Sequence, residues 1–355
     1  MFFVSIEKSI FGKTSDGTEI ESYILKNANG MIAEVMTYGC RIIKLLTVDK
    51  NGHFGDMVLG HDTLEGYLEP NDVFGAAIGR FANRIGSAEF EINGKRFPLF
   101  ANDGKNSLHS APGGFQDRVW RVKSSDNNDD APSITFAYRS VDGECGFPGN
   151  MDATVTYSLS TDNALIIEYG ARSDAETPIN LTNHTFFNIT GDVKKSILSN
   201  ELQINSDYIT AVGSDLIPTG VLAPVAGTAY DFNRSKTIGQ DIKADDALLK
   251  SCGGYDHNFV IKGASGMKKA AELYDQASGR VMMVFTDMPG IQIYTSNSFG
   301  ENSTGKGGVK HLAHHAICLE TQYFPDSVHH AAFPYHNLTP GEKYKSTTIY
   351  KFEVR

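Results

Sequence analysis

The tightest local constraint in this chain is the stretch Ala88-Glu-Phe-Glu-Ile92, Asn93-Gly94, Lys95-Arg-Phe-Pro-Leu-Phe100. Apolar and charged residues alternate along its first arm, so successive side chains must leave an extended strand on opposite faces. Asn-Gly between two such arms suits a two-residue turn in which both residues take positive φ, and it predicts a tight antiparallel hairpin. The same logic recurs where Thr154–Ser160 and Ala164–Tyr169 flank Thr161-Asp-Asn163, and where Val281–Thr286 and Ile291–Thr295 flank a turn at Met288-Pro-Gly290. Ser346–Val354, rich in β-branched and aromatic residues, reads as a closing strand. Helical periodicity is confined to Thr63–Leu68 and Asp241–Leu249, each long enough only for a short helix. The 35 glycines are spread along the chain, as turns between many short strands require. The polar run Ser124–Ala131 reads as a surface loop inside the β pattern, not as a domain boundary. Without internal repeats or low-complexity linkers, residues 1–355 are expected to form one all-β domain, a large antiparallel β-sandwich with few short helices.

Composition enters by exclusion. A formal charge of −10 with no Lys/Arg-rich tract argues against nucleic acid and anionic membrane as partners. No apolar run approaches the roughly 18–20 residues of a membrane helix. The N-terminal MFFVSIEK lacks a basic start, a long apolar stretch and a cleavage site, so no signal peptide is read. Cys40, Cys145, Cys252 and Cys318 are scattered with no CxxC pair, which fits reduced thiols in a cytoplasm.

Chemistry concentrates where polar residues interrupt strand-like sequence, in Ile78–Ile85, Asn106–Ser110, Asn180–Asn188 and Cys318–Asp326. His184 lies between Asn183 and Thr185, just before Phe186-Phe187, an aromatic pair able to wall a pocket. An isolated histidine is more often a hydrogen-bonded core residue, yet imidazole titrates near neutral pH and suits proton transfer to a leaving oxygen. His109 faces the same choice. Glu320 follows Ile317-Cys-Leu319, and a carboxylate in so apolar a strand is either paired or functional, because burying it alone is costly. Partial drying would raise its pKa and make it a better base. Arg80 and Arg84, four apart between strand-like flanks, can share one face; a surface pair is the default for such residues, and Asn83 beside Arg84 offers a hydroxyl-binding patch as the alternative. Asp256, after Gly253-Gly254 and Tyr255, either caps a turn or accepts hydroxyl hydrogens. His311-x-x-His314-His315, His329-His330 and His336 lack a Cys cluster or a HExxH pattern, so they are read as loop or surface residues and no metal site is assigned. No phosphate-binding glycine loop and no nucleophile elbow is present.

Together these segments resemble the aldose 1-epimerase (galactose mutarotase) family. The likeness runs from Thr37-Tyr-Gly-Cys-Arg41 through Gly79–Ile85, Asn106–His109, Leu181–His184, Ile217–Gly220 and Tyr230–Phe232. It continues through Gly254–Phe259, Pro289–Gln292 and Leu319–Gln322 to Phe324-Pro-Asp326. Each motif is short, and their occurrence in this order is what makes the likeness specific. The resemblance implies a galactose mutarotase-like β-sandwich and a cofactor-independent isomerase interconverting the α and β anomers of free aldohexoses. By it, Glu320 matches the family's general base, His184 its general acid and His109 a second active-site histidine. Sugar-binding positions fall on Asn83, Arg84, Asp256 and Gln292. The implied partner is a small free aldose, with the chain a monomer or homodimer. One departure is the Ser110-Ala111-Pro112 run that precedes Gly113-Gly114, where the family usually has glycines directly after this histidine; it implies a stiffer loop. Alternatives weighed against this are a sugar-binding protein without catalysis, an epimerase of a phosphorylated sugar, and a structural or polysaccharide-cleaving β-sandwich.

Overall fold

The computed structural model describes residues 3–70, 72–263, 265–300 and 303–355. Strands dominate, and the α-helices among the described residues are short: Leu64–Tyr67 and Ala247–Cys252. The second begins later than its periodicity suggested, because the Asp246 carboxylate accepts from the N–H groups of Leu248 and Leu249 and so fixes the helix start there.

Three larger sheets carry the architecture. An N-terminal sheet runs, in spatial order and in sequence order, Ser5–Lys13, Glu19–Lys26, Ile32–Met36, Arg41–Val48, Phe54–Asp56. A nine-stranded sheet runs Arg121–Asp126, Ser133–Ser140, Met151–Leu159, Ala164–Ser173, Tyr344–Val354, Arg280–Thr286, Lys268–Tyr274, Glu201–Ile204, Lys236–Thr237. A third sheet of five runs Pro218–Pro224, Ser206–Val212, Asp256–Ile261, Gly290–Tyr294, Cys318–Gln322. Pairing within all three is antiparallel. The Asn-Gly hairpin forms as expected between Glu89–Ile92 and Lys95–Pro98, with φ of 51° at Asn93 and 78° at Gly94.

Two expectations needed revision. Arg280–Thr286 and Gly290–Tyr294 do not pair with each other: the Met288-Pro-Gly290 turn carries the chain from the nine-stranded sheet to the five-stranded one. The stretch from Ser124 is strand through Asp126, because Ser124 and Ser125 pair with Thr135 and Ile134 in the neighbouring strand. The closing strand forms as expected, as Tyr344–Val354, and lies between Ala164–Ser173 and Arg280–Thr286.

Alternation in the last three strands of the five-stranded sheet decides what each face does. Phe259, Ile261, Ile291, Ile293 and Leu319 share one face and enter the main core with Leu165, Ile167, Met282 and Val284 of the large sheet. Each such side chain contributes about 1.5–3 kcal/mol on burial, so this face anchors the sheet. The other face is then free for polar residues, and it carries Asp256, Asn258, Gln292, Cys318, Glu320 and Gln322.

Candidate active site

Register sets the first part of the site. Gln292 pairs with Glu320 on one side and Asn258 on the other, while Asp256 pairs with Tyr294 and Tyr294 with Cys318. Directly opposed side chains sit about 4.5–5.5 Å apart at Cβ, so these residues form two polar rows one strand step apart. The short strand Thr182–His184 lies against them, held where the Thr182 hydroxyl donates to the Thr321 carbonyl at 2.9 Å. His184 Nε2 then stands 3.7 Å from Glu320 Oε1, with the His184 and Glu320 side chains 7% and 2% exposed. The other imidazole nitrogen, Nδ1, faces Cys318 Sγ at 3.6 Å.

A second piece comes from the turn after Ala76–Ile78. Asn83 and His109 both adopt left-handed backbone, with φ of 61° and 56°. Such conformations cost energy for residues other than glycine and persist where their surroundings fix them. Here the two residues lock each other: His109 N–H donates to the Asn83 carbonyl at 3.0 Å, and Asn83 N–H donates to His109 Nδ1 at 3.1 Å. That second bond places the proton of neutral His109 on Nε2. Burial, with His184 and Arg84 adding to it, holds the His109 pKa well below the usual histidine range, so the ring is a neutral donor. Ser110 fastens the loop by accepting from Phe81 N–H at 2.9 Å and donating to the Phe81 carbonyl at 3.1 Å. The His109 and His184 rings meet edge-on, 5.2 Å between centroids.

Arg84 stands between two carboxylates, its Nε 2.7 Å from Asp103 Oδ2 and its Nη1 3.7 Å from Asp256 Oδ2. Burial works against its charge, but Asp256 and Asp103 outweigh that and hold its pKa above the ordinary arginine value. Asp256 Oδ1 in turn accepts from Gln292 Nε2 at 2.6 Å.

Asn83, Arg84, His109, His184, Asp256 and Glu320 all line one cleft of about 740 Å³. Gln292 does not line it, and stands behind Asp256. Arg80 departs from expectation. The backbone between Ile78 and Arg84 is a turn, not a continuous strand, so the two arginines part. Arg80 is buried among carbonyls, donating to Ser140, Val141, Pro148 and Gly149 at 2.8–2.9 Å and to the Ser140 hydroxyl at 2.8 Å. The cleft walls include residues that sequence alone did not single out: Tyr38, Tyr294 and Phe299. Of the aromatic pair only Phe186 walls the cleft; Phe187 turns to the core and packs on Tyr350, 4.7 Å between ring centroids. His311 lies in a loop but is buried, stacked on Phe299.

Electrostatics divides the acid–base pair. Burial pushes the Glu320 carboxyl well above its usual range, with the Asp256 charge adding to this and Arg84 opposing it. Burial pulls His184 down to about 4. Burial thus favours the uncharged form of each partner, the carboxylic acid of Glu320 and the neutral imidazole of His184. Ligand atoms of His109, His184 and Glu320 all lie within 4.8 Å of one another, close enough to consider a cation. The chemistry of the set argues otherwise: His109 Nδ1 already accepts a backbone N–H and its Nε2 carries the proton, leaving that ring no free lone pair. Two donors and one shared proton around a cleft suit proton transfer to and from a polar neutral molecule.

Comparison with known proteins bears on which molecule. A family model for aldose 1-epimerase matches residues 21–351. The sequence is 39% identical over 351 residues to galactose mutarotase of Homo sapiens, covering 99% of each chain. It is 34% identical over 340 residues to aldose 1-epimerase of Escherichia coli (strain K12), covering 95% of this chain and 96% of that one. Among solved structures, galactose 1-epimerase from Lactobacillus acidophilus NCFM superposes with a TM-score of 0.87 at 28% identity, over 99% of both chains.

Proposed function

This chain belongs to the aldose 1-epimerase family and is a mutarotase; we propose that it performs the interconversion with Glu320 as base and His184 as acid. Free aldohexoses such as galactose, the sugar in its relatives' names, are the proposed substrates. The observation that carries this reading is the 3.7 Å approach of His184 Nε2 to Glu320 Oε1 at one wall of the cleft.

Mutarotation breaks the C1–O5 bond, turns the freed aldehyde about C1–C2 and closes the ring again. Opening needs a proton taken from the anomeric hydroxyl and one delivered to the ring oxygen, and each positioned group is worth about 10²–10⁴-fold. The proton shared by the pair crosses from Glu320 to His184 as the sugar seats. Glu320 then accepts the anomeric proton while the imidazolium protonates O5. Closure on either face of the aldehyde runs both transfers backward and releases either anomer. Neutral His109 donates through Nε2 to the oxygen on which charge develops. Asn83, Arg84 and Asp256 hold the remaining hydroxyls so that only C1 swings, and Gln292 acts through Asp256.

A phosphorylated substrate is disfavoured because Arg84 is already flanked by Asp103 and Asp256, and Arg80 is committed elsewhere. Four free cysteines, two of them buried, support a reducing compartment such as the cytoplasm. The test is polarimetric: decay of optical rotation from a panel of freshly dissolved α-aldoses. Decay no faster than in buffer for every aldose would end the proposal.

A further inference from the structure

The base needs a feature that none of the assigned residues supplies. As an acceptor Glu320 must become a carboxylate in a buried place, yet its distal oxygen Oε2 has no hydrogen-bond partner among the described residues. The polar face of the sheet continues past Glu320, below the cleft wall. Gln322 is the next residue on that face and is fully buried, with neither its Nε2 nor its Oε1 partnered. Asn258, 1% exposed, likewise has both amide atoms unpartnered, and so does Gln292 Oε1. Buried amides left without partners are rare and each is costly, so three such side chains beside an unpartnered carboxyl oxygen on one stretch of sheet call for a common reason.

Gly290 brings the amides together. It pairs with Gln322 across the strands, and a β-carbon on it would collide with Asn258 Oδ1 and with the Phe324 ring. The missing side chain lets the Asn258 amide reach over the backbone toward Gln322. The Phe324 ring borders this space at Gly290, and the chain just beyond it is pinned where Asp326 N–H donates to the Arg84 carbonyl at 2.8 Å and Gly86 N–H to Asp326 Oδ1 at 2.8 Å.

Resting on the assignment of Glu320 as base, we propose that Gln322 and Asn258 are positioning residues. The unused amide N–H groups, that of Gln322 directly or through one ordered water and that of Asn258 through Gln322 or water because Gln292 stands between it and Glu320, supply the hydrogen bonds that Glu320 Oε2 accepts once the carboxyl has lost its proton. Neither touches the sugar. They set how readily the base ionises and which of its oxygens turns to the cleft.

The test compares wild type with Gln322→Met and Asn258→Leu, both close in volume and without donors. Expected are a fall in kcat of about ten- to a hundredfold, the range one or two charge-assisted hydrogen bonds cover, and KM within about twofold. The alkaline limb of the kcat profile should move upward by about one to two pH units. Difference infrared titration reads the protonated carboxyl band directly, with Glu320→Gln identifying it; in both variants the band should persist to higher pH. Because burial of unpaired amides is relieved, both variants should melt no lower than wild type. A fall in kcat with an unmoved carboxyl band would mean a merely structural role and overturn the proposal, as would wild-type kcat with an unmoved band. If wild type itself failed to accelerate mutarotation, the function would be wrong, while the infrared titration would still decide whether these amides govern Glu320.

Discussion

Glu320→Gln separates the chemical role of this side chain from its structural cost. The amide keeps the volume and the strand position opposite Gln292, so sugar binding should change little. The ability to accept the anomeric proton is removed, and general-base losses run about 10²–10⁴-fold in rate, or about 3–5 kcal/mol in the barrier. The stability effect has the opposite sign. Burial holds the carboxyl's pKa well above its usual range, so between the unfolded value of about 4.3 and the folded one the unfolded chain binds fewer protons. Stability contributed by the neutral carboxyl is thus fully present below about pH 4 and declines by about 1.4 kcal/mol per pH unit as pH rises through that window. Glutamine has no such slope. Rotation decay from fresh α-galactose should therefore fall at least a hundredfold, while the variant's melting temperature should exceed that of wild type by more at pH 8 than at pH 5. Retained activity would refute the base assignment. A melting-temperature gap that did not widen with pH would refute the claim that burial keeps the group protonated.

His184→Asn should be nearly as damaging by the same polarimetric assay, whereas His329→Asn, whose ring only pairs with Asp326 at 2.6 Å at a half-exposed site, should stay within about twofold of wild-type kcat, its pair being worth about 1 kcal/mol or less. Arg80→Met leaves the carbonyls of residues 140–149 without donors, so stability measured by urea denaturation should drop by about 3 kcal/mol or more, with kcat of the folded fraction near wild type. On the proposed mechanism the active pair shares one proton, and a second binds as pH falls toward about 4, the value to which burial lowers His184; kcat/KM should then be flat near neutrality and fall about tenfold per pH unit below that point. Activity declining already below pH 6 would contradict that ordering.

Much of this arrangement is written locally. Asn93-Gly94 could hardly be anything other than a hairpin turn, and alternation in Asp256–Ile261 and Cys318–Gln322 puts acid and amide groups on the face opposite Phe259 and Leu319. What local pattern cannot convey is which strands become neighbours. Arg80 and Arg84 were separable only once a left-handed Asn83 intervened. Phe186 and Phe187 differ in role because alternation sends one to the cleft and one to Tyr350, a residue 163 positions away by numbering. Gln292, a sugar-binding position by the resemblance, also holds Asp256 from a neighbouring strand, a pairing that spacing along the chain cannot convey. Phe299 carried no signal at all, and Tyr38 entered only as part of the Thr37–Arg41 resemblance segment, since an aromatic lining a cleft reads like any core residue.

The central place of Tyr344–Val354 has a consequence for how the protein is made. Until this strand is synthesised, Ala164–Ser173 and Arg280–Thr286 present two raw sheet edges to the cell, each able to recruit foreign strands. Pairing between strands so far apart in sequence is slow to nucleate, so the two edges stay open until the chain's last strand arrives. The same strand sends the Tyr350 hydroxyl to the Leu319 carbonyl at 2.8 Å, immediately beside Glu320. A chain cut short before it would contain every reactive group yet lack this brace behind Glu320.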